Sequence, residues 1–386
     1  MTTTLPSLLI SIPDGVLDLG WGHPSAHLHP TEALQIASER VLSQQSAVPL
    51  QYGAVQGFGP LLEGLADFLS SQDAYGNQPV DPTSLFLTAG ASQGIDLATT
   101  VFAQSGDTVF VEEPTYYLIG RIFVDHGLKV VGIPTDSDGL DINALELMLL
   151  DGHRPRLLYV IPAYQNPTGA TLSPERRHRL IRLAQRYGFT ILADEVYQLL
   201  HYGPPPPPPL VTMDDTDDGC VVSLGSFSKI LAPGLRLGWA HASPGIIQRF
   251  VDSGVAASGG GLSHFAAAMA QATLDLGLLQ ENLANLRRIY AMRRDAVARI
   301  LSTDLAGLVN FDQPEGGYFF WLNLADGVDA HELLPDAQKA GVSYRPGTAF
   351  SSVGGLRDSL RISFSLYDVG DLAEALTRLG QAIRSA

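Results

Sequence analysis

The stretch that decides the fold reads Ser226-Phe227-Ser228-Lys229-Ile230-Leu231-Ala232-Pro233-Gly234-Leu235-Arg236. It holds one of only three lysines in the 386-residue chain. Ser226 and Ser228 can donate hydrogen bonds to a phosphate, and the planar guanidinium of Arg236 matches phosphate oxygens. A lysine beside such a site can form an imine with an aldehyde if it loses its proton easily. The stretch therefore predicts that Lys229 binds a phosphorylated aldehyde, pyridoxal 5'-phosphate (PLP); a solvated surface lysine is the alternative.

Composition indicates a large folded protein. With 45% hydrophobic and 17% charged residues, the chain can bury a sizeable core and divide into more than one domain. The formal net charge of −16 argues against nucleic acid as a partner, because affinity for a phosphate backbone comes from lysine and arginine. The sequence has neither an apolar run of membrane-spanning length nor a signal-peptide pattern, so we expect no membrane contact and a cytoplasmic location. A single cysteine, Cys220, excludes an internal disulfide.

Short apolar runs alternate with helical patterns from about residue 84 to residue 242. The predicted strands are 84–89, 108–112, 129–133, 156–162, 190–194, 221–224 and 235–241, and the helices among them are 92–104, 143–150 and 174–187. This alternation indicates an α/β fold whose mostly parallel sheet is covered by helices on both faces. The proline run at 204–209 predicts an extended, solvated loop.

A second, smaller α+β domain follows the sheet. The predictions are a long helix at 278–301, strands at 309–324, 342–345 and 360–364, and a closing helix at 369–383. We divide the chain into three parts. Residues 1–45 form an N-terminal segment that contributes to the active site and to the small domain, residues 46–285 form a large PLP-binding domain, and residues 286–386 form a small C-terminal domain.

Ligands of open parallel sheets bind beyond the carboxyl ends of the strands, so the residues after each strand are the first candidates. Gly90-Ala91-Ser92 enters a helix, whose free amides and serine hydroxyl can bind an anion. Tyr116 can place its ring over a flat heterocycle. Asn166, in Asn-Pro-Thr-Gly, can donate its amide to a phenolate oxygen. Each of these motifs, if taken alone, is also typical of residues that only pack in a core or form a turn.

A carboxylate ends the apolar run at 190–194. Asp194 is costly there unless a cation pairs with it, and a protonated pyridine nitrogen is such a cation. In that role Asp194 makes the ring a better electron sink, and Tyr197 can donate to the phenolate oxygen. Asp194 as a helix cap or as the partner of an arginine is the alternative.

With these motifs in this order, the chain resembles the fold-type I PLP-dependent enzymes of the class I/II aminotransferases, and among them the group of 2-aminoadipate and kynurenine aminotransferases. The resemblance runs from Leu17-Asp18-Leu19-Gly20-Trp21-Gly22 to Leu360-Arg361-Ile362-Ser363. It implies an enzyme that uses PLP to move the amino group of an L-amino acid to a 2-oxo acid such as 2-oxoglutarate.

The resemblance also implies a role for each matching residue. Lys229 binds the cofactor aldehyde and carries the proton between the substrate Cα and C4' of the cofactor, while Asp194 pairs with the pyridinium nitrogen. Tyr52 matches a tyrosine that reaches the phosphate of the neighbouring subunit, which implies a homodimer with shared active sites. The implied cofactor-binding residues are Tyr52, Gly90, Ala91, Ser92, Tyr116, Asn166, Asp194, Tyr197, Ser226, Ser228, Lys229 and Arg236.

Substrate binding is implied at Arg361, Asn166, Gly22 and Trp21. Arg361 matches the arginine that holds the substrate α-carboxylate as a bidentate pair, and Asn166 and the Gly22 region complete that seat. A surface arginine on a strand is the alternative. The substrate α-carboxylate is therefore expected at the end of the site that Arg361 provides.

The chain departs from the family pattern where the substrate side chain is expected. Trp21 and His23 stand in a turn that is usually apolar and glycine-rich, and they can shape or hydrogen-bond that side chain. The turn at 259–261, near His264, is a second variable place, which we predict to be a flexible wall of the pocket. Both leave the amino-acid specificity open.

Three histidines follow one another in the first of these segments. His23, His27 and His29 have spacings that suggest a metal site, but prolines on both sides break helical geometry. The chemistry of PLP needs no metal, so we predict none.

Two other functions remain alternatives. A PLP enzyme with an altered pocket could perform elimination or cyclisation on a modified amino acid such as hydroxyarginine. Some transcription regulators carry this fold behind a winged-helix domain. Because the fold begins by about Leu17, we expect no such domain here.

The first prediction concerns the lysine itself. Borohydride reduction of the purified protein should remove its visible absorbance and fix the cofactor on Lys229, because only this lysine follows Ser-x-Ser and precedes Arg236. Peptide mapping by mass spectrometry locates the adduct. An adduct on Lys129 or Lys339 would contradict the assignment.

Overall fold

A computed structural model describes residues 7–216, 218–325 and 327–385 of the chain. Its strands are β1 Leu17–Asp18, β2 Leu85–Thr88, β3 Thr108–Glu113, β4 Lys129–Asp136, β5 Gly139–Leu140, β6 Leu157–Val160, β7 Thr190–Asp194, β8 Val221–Ser226, β9 Gly238–Ala242, β10 Val309–Asn310, β11 Phe319–Leu324, β12 Val342–Ser343, β13 Arg345–Pro346 and β14 Ser359–Ser363. Its α-helices are α1 Thr31–Ser43, α2 Gly59–Ser70, α3 Ala91–Phe102, α4 Ile119–Asp125, α5 Ile142–Leu150, α6 Pro174–Tyr187, α7 Pro244–Val251, α8 Gly254–Gly259, α9 His264–Asp275, α10 Leu278–Thr303, α11 Ala330–Lys339 and α12 Val369–Arg384. Among these described helices, none combines the length and the apolar character that crossing a membrane requires.

Eight strands pair into one sheet in the order β2-β9-β8-β7-β6-β3-β4-β5. Neighbours from β8 to β4 run parallel, which confirms the predicted α/β fold with a mostly parallel sheet. The strand predicted at 235–241 differs, because β9 starts at Gly238 and runs antiparallel to both β2 and β8. β9 therefore begins at the edge where its neighbours end, and the loop before it brings Arg236 to that edge.

Both faces of this sheet are buried. In β3, Val109 and Val111 pack into one hydrophobic cluster, while Phe110 between them packs into another. The same alternation in β6 places Tyr159 on the first side and Leu158 on the second. Successive side chains of a strand point to opposite faces, so helices must cover both. Residues of α3, α4 and α7 complete the first cluster, and residues of α5 and α6 complete the second.

A four-stranded antiparallel sheet, ordered β10-β11-β14-β13, lies near the carboxyl terminus. The single strand predicted at 309–324 is wrong, because two strands, β10 and β11, occupy this range with a turn between them. Tyr164 packs so closely against the turn that a Cβ on Gly316 would lie 2.5 Å from its ring. The strand predicted at 342–345 also divides, into β12, which pairs with β1, and β13, which pairs with β14.

The division at 1–45, 46–285 and 286–386 stays a prediction. From the first segment, β1 pairs with β12, and α1 packs against α9. The helix α10 continues without a break across the proposed boundary between residues 285 and 286. The boundary therefore falls inside one element.

The proline run at 204–209 is solvated, as we predicted, only at Pro204 and Pro205. Pro206 and Pro209 are buried, and their spacing of three residues matches one turn of a polyproline helix. Arg177 donates from Nη1 to the carbonyl oxygen of Pro208 at 2.8 Å. Tertiary contacts therefore hold this segment against the protein.

The second prediction tests this buried arginine. Arg177 is 0% exposed, lies 3.7 Å from Glu195 and donates to the carbonyl of Pro162. We expect Arg177→Met to lower the free energy of unfolding by about 3–5 kcal/mol, because a buried carboxylate loses its partner. Arg179→Met is the control, since it removes a partly exposed pair with Glu146 that is worth at most about 1 kcal/mol. Urea unfolding measures both variants, and equal losses would show that Arg177 does not stabilise the fold in this way.

Candidate active site

A cavity of about 220 Å³ opens at the edge of the large sheet where β7 and β8 end. It brings together all but two of the residues that the sequence predicted for the site. Those that line it are Trp21, Gly22, Ala91, Ser92, Tyr116, Asn166, Asp194, Tyr197, Ser226, Ser228, Lys229, Arg236 and Arg361. The two that do not are Gly90 and Tyr52.

Gly90 supports the cavity from behind. It precedes α3 with a φ of 86°, in the left-handed region that favours glycine. A Cβ at this position would lie 2.9 Å from Nη2 of Arg236, so glycine lets the guanidinium approach the start of α3. Arg236 also donates to the carbonyl of Ala89 at 3.1 Å, which fixes its position at that end of the cavity.

One end of the cavity can bind an anion. Ser92, Ser226, Ser228 and Arg236 meet there. Because α3 begins at Ala91, its first amides have no partner within the helix. Hydroxyls, helix amides and a guanidinium all donate hydrogen bonds, and a phosphate accepts them.

Lys229 lines the same cavity. Its Nζ donates to the carbonyl oxygen of Gly22 at 3.3 Å and lies 5.8 Å and 5.4 Å from the ring centres of Tyr197 and Tyr318. Loss of water around the amine lowers the pKa of Lys229 to about 8, although the nearby charge of Asp194 opposes this effect. Near neutral pH, a larger fraction of this amine is therefore unprotonated than in an ordinary lysine.

Asp194 ends β7 as a buried carboxylate, 7% exposed. Its Oδ2 accepts a hydrogen bond from the hydroxyl of Tyr159 at 2.7 Å, whereas its buried Oδ1 has no partner within the described chain. Burial raises the pKa of Asp194, and the hydrogen bond from Tyr159 opposes that shift. Sequence reasoning missed Tyr159; its polar group in an otherwise apolar strand next to the site was the available signal.

Arg361 reaches the cavity from β14 and is 2% exposed. Its Nη1 donates to Oδ1 of Asn166 and its Nη2 to the carbonyl of Gly20, both at 2.6 Å. The guanidinium lies 4.0 Å from the ring centre of Phe319. Burial lowers the pKa of Arg361 to about 10, so it stays charged at neutral pH. Among the described residues it forms no ion pair, and an anionic ligand can therefore be its partner.

Aromatic and apolar side chains form the remaining walls. Tyr116 packs edge-on against Tyr117 with ring centres 5.6 Å apart, and Tyr197 is 4% exposed. The lining residues that sequence reasoning did not name are Leu9, Pro24, Tyr117, Leu118, Ile161, Val196, Pro233 and Phe319. Single apolar residues of this kind carry no sequence signal for a site, because most of them belong to cores.

Trp21 and His23 lie together in the wall near Arg361, with ring centres 5.5 Å apart. Burial lowers the pKa of His23 to about 4, so its ring is neutral at pH 7. His27 and His29 do not line the cavity. Across residues 7–216, 218–325 and 327–385, no three His, Cys, Asp or Glu side chains cluster as a metal site requires.

Tyr52 and the turn at 259–261 lie outside the cavity. Tyr52 is 90% exposed. The turn at 259–261, which we predicted to be a wall of the pocket, does not line this cavity. It pairs instead with Gly53, and Nε2 of the nearby His264 lies 3.0 Å from the carbonyl oxygen of Val48.

Comparison with known proteins identifies the family. The protein-family model for aminotransferase class I and II matches residues 14–379 of the chain. The chain belongs to this family. It is 33% identical to aromatic-amino-acid aminotransferase 1 of Thermococcus litoralis over 96% of this chain and 88% of that one. It is 32% identical to the 2-aminoadipate transaminase of Thermus thermophilus over 96% and 90% of the two chains.

A solved structure shares the whole architecture. The crystal structure of Pyrococcus horikoshii kynurenine aminotransferase, in complex with PMP, matches with a TM-score of 0.88 and 32% identity over 96% of this chain and 91% of that one. The chain is therefore a PLP-dependent aminotransferase of fold type I. Its cavity fits PLP by its own features: the free Oδ1 of Asp194 suits a protonated ring nitrogen, the serine-rich end suits the phosphate, and Lys229 lines the same cavity.

The third prediction concerns the carboxylate. Asp194→Ala should leave some PLP bound but slow removal of the substrate Cα proton by at least about a hundredfold, because the charge that keeps the ring nitrogen protonated is gone. Tyr159→Phe removes one hydrogen bond to that carboxylate and should slow the same step by about tenfold. Exchange of the Cα proton for deuterium, followed by NMR, measures both. Normal exchange in Asp194→Ala would mean that the carboxylate is only structural.

Proposed function

We propose that this aminotransferase takes the amino group of an L-amino acid whose α-carboxylate binds Arg361, and passes it to a 2-oxo acid such as 2-oxoglutarate. The observation that carries the proposal is one cavity in which a lysine of lowered pKa, a free carboxylate oxygen and a buried guanidinium meet. PLP, when bound, supplies an electron sink for the carbanion left when Cα loses its proton.

We assign the movement of that proton to Lys229. A general base is most effective when its pKa lies near the working pH, and the pKa of about 8 meets this condition. The carbonyl oxygen of Gly22 accepts from Nζ and so orients the amine. The rings of Tyr197 and Tyr318, whose centres are 5.3 Å apart, together cover one side of the amine and limit access of water to it.

Arg361 orients the substrate in this proposal. Nη1 of Arg361 donates to Asn166 and Nη2 donates to the carbonyl of Gly20. These two hydrogen bonds keep the guanidinium from rotating. The remaining donors can form a bidentate pair with the α-carboxylate. Fixing the carboxylate decides which bond at Cα stands perpendicular to the cofactor ring and breaks.

We also propose a homodimer with shared active sites. Tyr52, 90% exposed, follows Leu50 and Val48, which are 70% and 56% exposed. Neighbouring exposed apolar side chains support an interface, and across it Tyr52 would reach the phosphate end of the other subunit's cavity. A cytoplasmic location and the absence of nucleic-acid and membrane partners remain predictions.

A half-reaction tests the proposed transfer. One L-amino acid should convert the absorbance of the holoenzyme to the pyridoxamine form, and 2-oxoglutarate should restore it. An elimination or cyclisation enzyme would release product without that return. No spectral change across a panel of L-amino acids would overturn the proposal.

The fourth prediction separates substrate binding from cofactor binding. Arg361→Ala should raise the KM for the amino acid by about a hundredfold or more, because the α-carboxylate loses a partly desolvated bidentate partner. Arg361→Lys keeps the charge but loses the fork, so it should recover only part of the loss.

Cofactor retention provides the control. PLP should stay bound in both variants, since its phosphate contacts lie at the end formed by Ser226, Ser228 and Arg236. Arg236→Ala should show the opposite pattern, with weakened retention of PLP. Unchanged saturation by amino acid in Arg361→Ala, together with loss of PLP, would mean that the two arginines have exchanged roles.

A further inference from the structure

Glu112 is a buried carboxyl group that does not itself line the cavity. It lies near the end of β3, and its Oε2 accepts hydrogen bonds from the backbone N–H of Ile161 at 2.9 Å and from Nε2 of Gln165 at 3.2 Å. Neither donor carries a charge, and none of the ion pairs among the described residues includes Glu112. A buried carboxylate without a cation is costly, so these contacts favour the neutral, protonated acid.

The electrostatic surroundings of Glu112 favour the same protonation state. Burial raises the pKa of Glu112 to about 8; the two hydrogen bonds oppose this shift, and the nearby charge of Asp194 adds to it. Tyr159 also faces Glu112, but burial raises the pKa of its hydroxyl well above the usual value, so it is neutral. Ile133, which is opposite Glu112 on β4, does not titrate. At pH 7 most Glu112 side chains are therefore uncharged.

Gln165 connects Glu112 to a turn that reaches the cavity. Besides its bond to Glu112, Nε2 donates to the carbonyl of Pro114 at 2.8 Å. Oε1 accepts from both the backbone N–H and the hydroxyl of Thr168, each at 2.8 Å. The backbone of Gln165 closes the same turn, because its carbonyl accepts from the N–H of Gly169 at 2.7 Å. Both hydrogens and both lone pairs of the amide group are thus used to fix residues 165–169.

The turn carries Asn166, which lines the cavity and has two polar atoms to place. Its Oδ1 accepts from Nη1 of Arg361 at 2.6 Å. Its Nδ2 remains free to donate to the phenolate oxygen of PLP. Because Gln165 directly precedes Asn166, a displaced Gln165 side chain shifts Asn166 relative to both partners. Small displacements of this kind reduce both binding and catalysis.

We propose that Glu112 is a positioning residue: as a neutral acid it holds Gln165, and through it the turn that places Asn166 between Arg361 and the cofactor. This inference rests on the proposed function, because Arg361 must hold the α-carboxylate of the substrate. The neutral acid accepts the two hydrogen bonds without adding a second negative charge beside Asp194. Asp194 therefore remains the charge that pairs with the ring nitrogen.

Three replacements separate the hydrogen bonds from the charge. Both donors end on one oxygen of Glu112, so Glu112→Gln, whose amide oxygen can accept both, should leave the KM for the amino acid near that of the wild type. Glu112→Leu removes the acceptor at similar volume and should raise this KM by roughly tenfold, the range of a buried donor left unpaired. Glu112→Asp keeps the acid but shortens its reach, so it should change KM in the same direction by less.

The visible absorbance of the bound cofactor gives a measurement that does not depend on turnover. A donor on the phenolate oxygen stabilises its charge and so lowers the proton affinity of the neighbouring imine nitrogen. Glu112→Leu, which lets Asn166 shift, should therefore move the midpoint of the pH titration of this absorbance upward by about half a pH unit or more. Glu112→Gln should leave the midpoint in place. Loss of fold stability alone would lower the urea midpoint without moving this titration.

Infrared spectroscopy of the holoenzyme tests the protonation state. A protonated carboxyl group has a carbonyl band that ionisation removes, and this band should disappear as the pH rises through the pKa of Glu112, about 8. The pH difference spectrum of Glu112→Gln should lack the band. Glu195→Gln is the matched control, because Glu195 is also buried but lies 3.7 Å from Arg177. It should keep the band and lower the urea midpoint, since Arg177 loses its partner.

The outcomes distinguish Glu112 from the proposed function. A KM in Glu112→Gln as high as that in Glu112→Leu, or no band assigned to Glu112 in the wild type, would overturn the neutral acid. An unchanged KM and an unchanged absorbance titration in Glu112→Leu would overturn the positioning role. Failure of the wild type to convert any amino acid would instead reject the proposed function, while the absorbance and infrared titrations would still decide the role of Glu112.

Discussion

Removal of charged groups from water is the constraint on which the cavity depends. Asp194 and Arg361 are almost fully buried, and Lys229 has lost enough water for its pKa to fall to about 8. Unpaired charges in such surroundings are costly. The protein supplies only some of the hydrogen bonds that these groups can form. Tyr159 donates to one oxygen of the Asp194 carboxylate, and one nitrogen of the Arg361 guanidinium donates to Asn166. The free Oδ1 of Asp194 fits a ligand with a protonated ring, and the free donors of Arg361 fit an anionic group of the ligand.

Close packing of glycines at the start of β9 brings Arg236 into the cavity that Asp194, Lys229 and Arg361 also line. A Cβ at Gly238 would lie 2.7 Å from the carbonyl oxygen of Gly225 and 3.0 Å from Cα of Gly90, so the backbones of three segments come this close because residue 238 is glycine. Trp239 packs over Gly225 with similar closeness. This packing places the start of an antiparallel strand among the ends of parallel strands. The arginine before that strand and the serines at the end of β8 therefore line the same cavity.

Several parts of the site could be predicted because their chemistry is local. The spacing of Ser226, Ser228 and Lys229 identifies a lysine beside a phosphate site within a few residues. The position of Asp194 at the end of an apolar run signals a carboxylate that needs a cation. Other parts had no local signal. Tyr159 acts through a neighbouring strand, and the proline run at 204–209 reads as solvated until the carbonyl acceptors for Arg177 are in place.

The sequence by itself determined most strands of the parallel sheet and most of the polar residues that line the cavity, because periodicity, turn residues and short motifs depend on neighbours a few positions apart. Only the tertiary structure decided the direction of β9, the division of 309–324 into two strands, and the pairing of Arg345 with Arg361. Each of these follows from contacts between segments far apart in the chain. Strand direction and register are set by which segments pack together, and no local pattern contains that information.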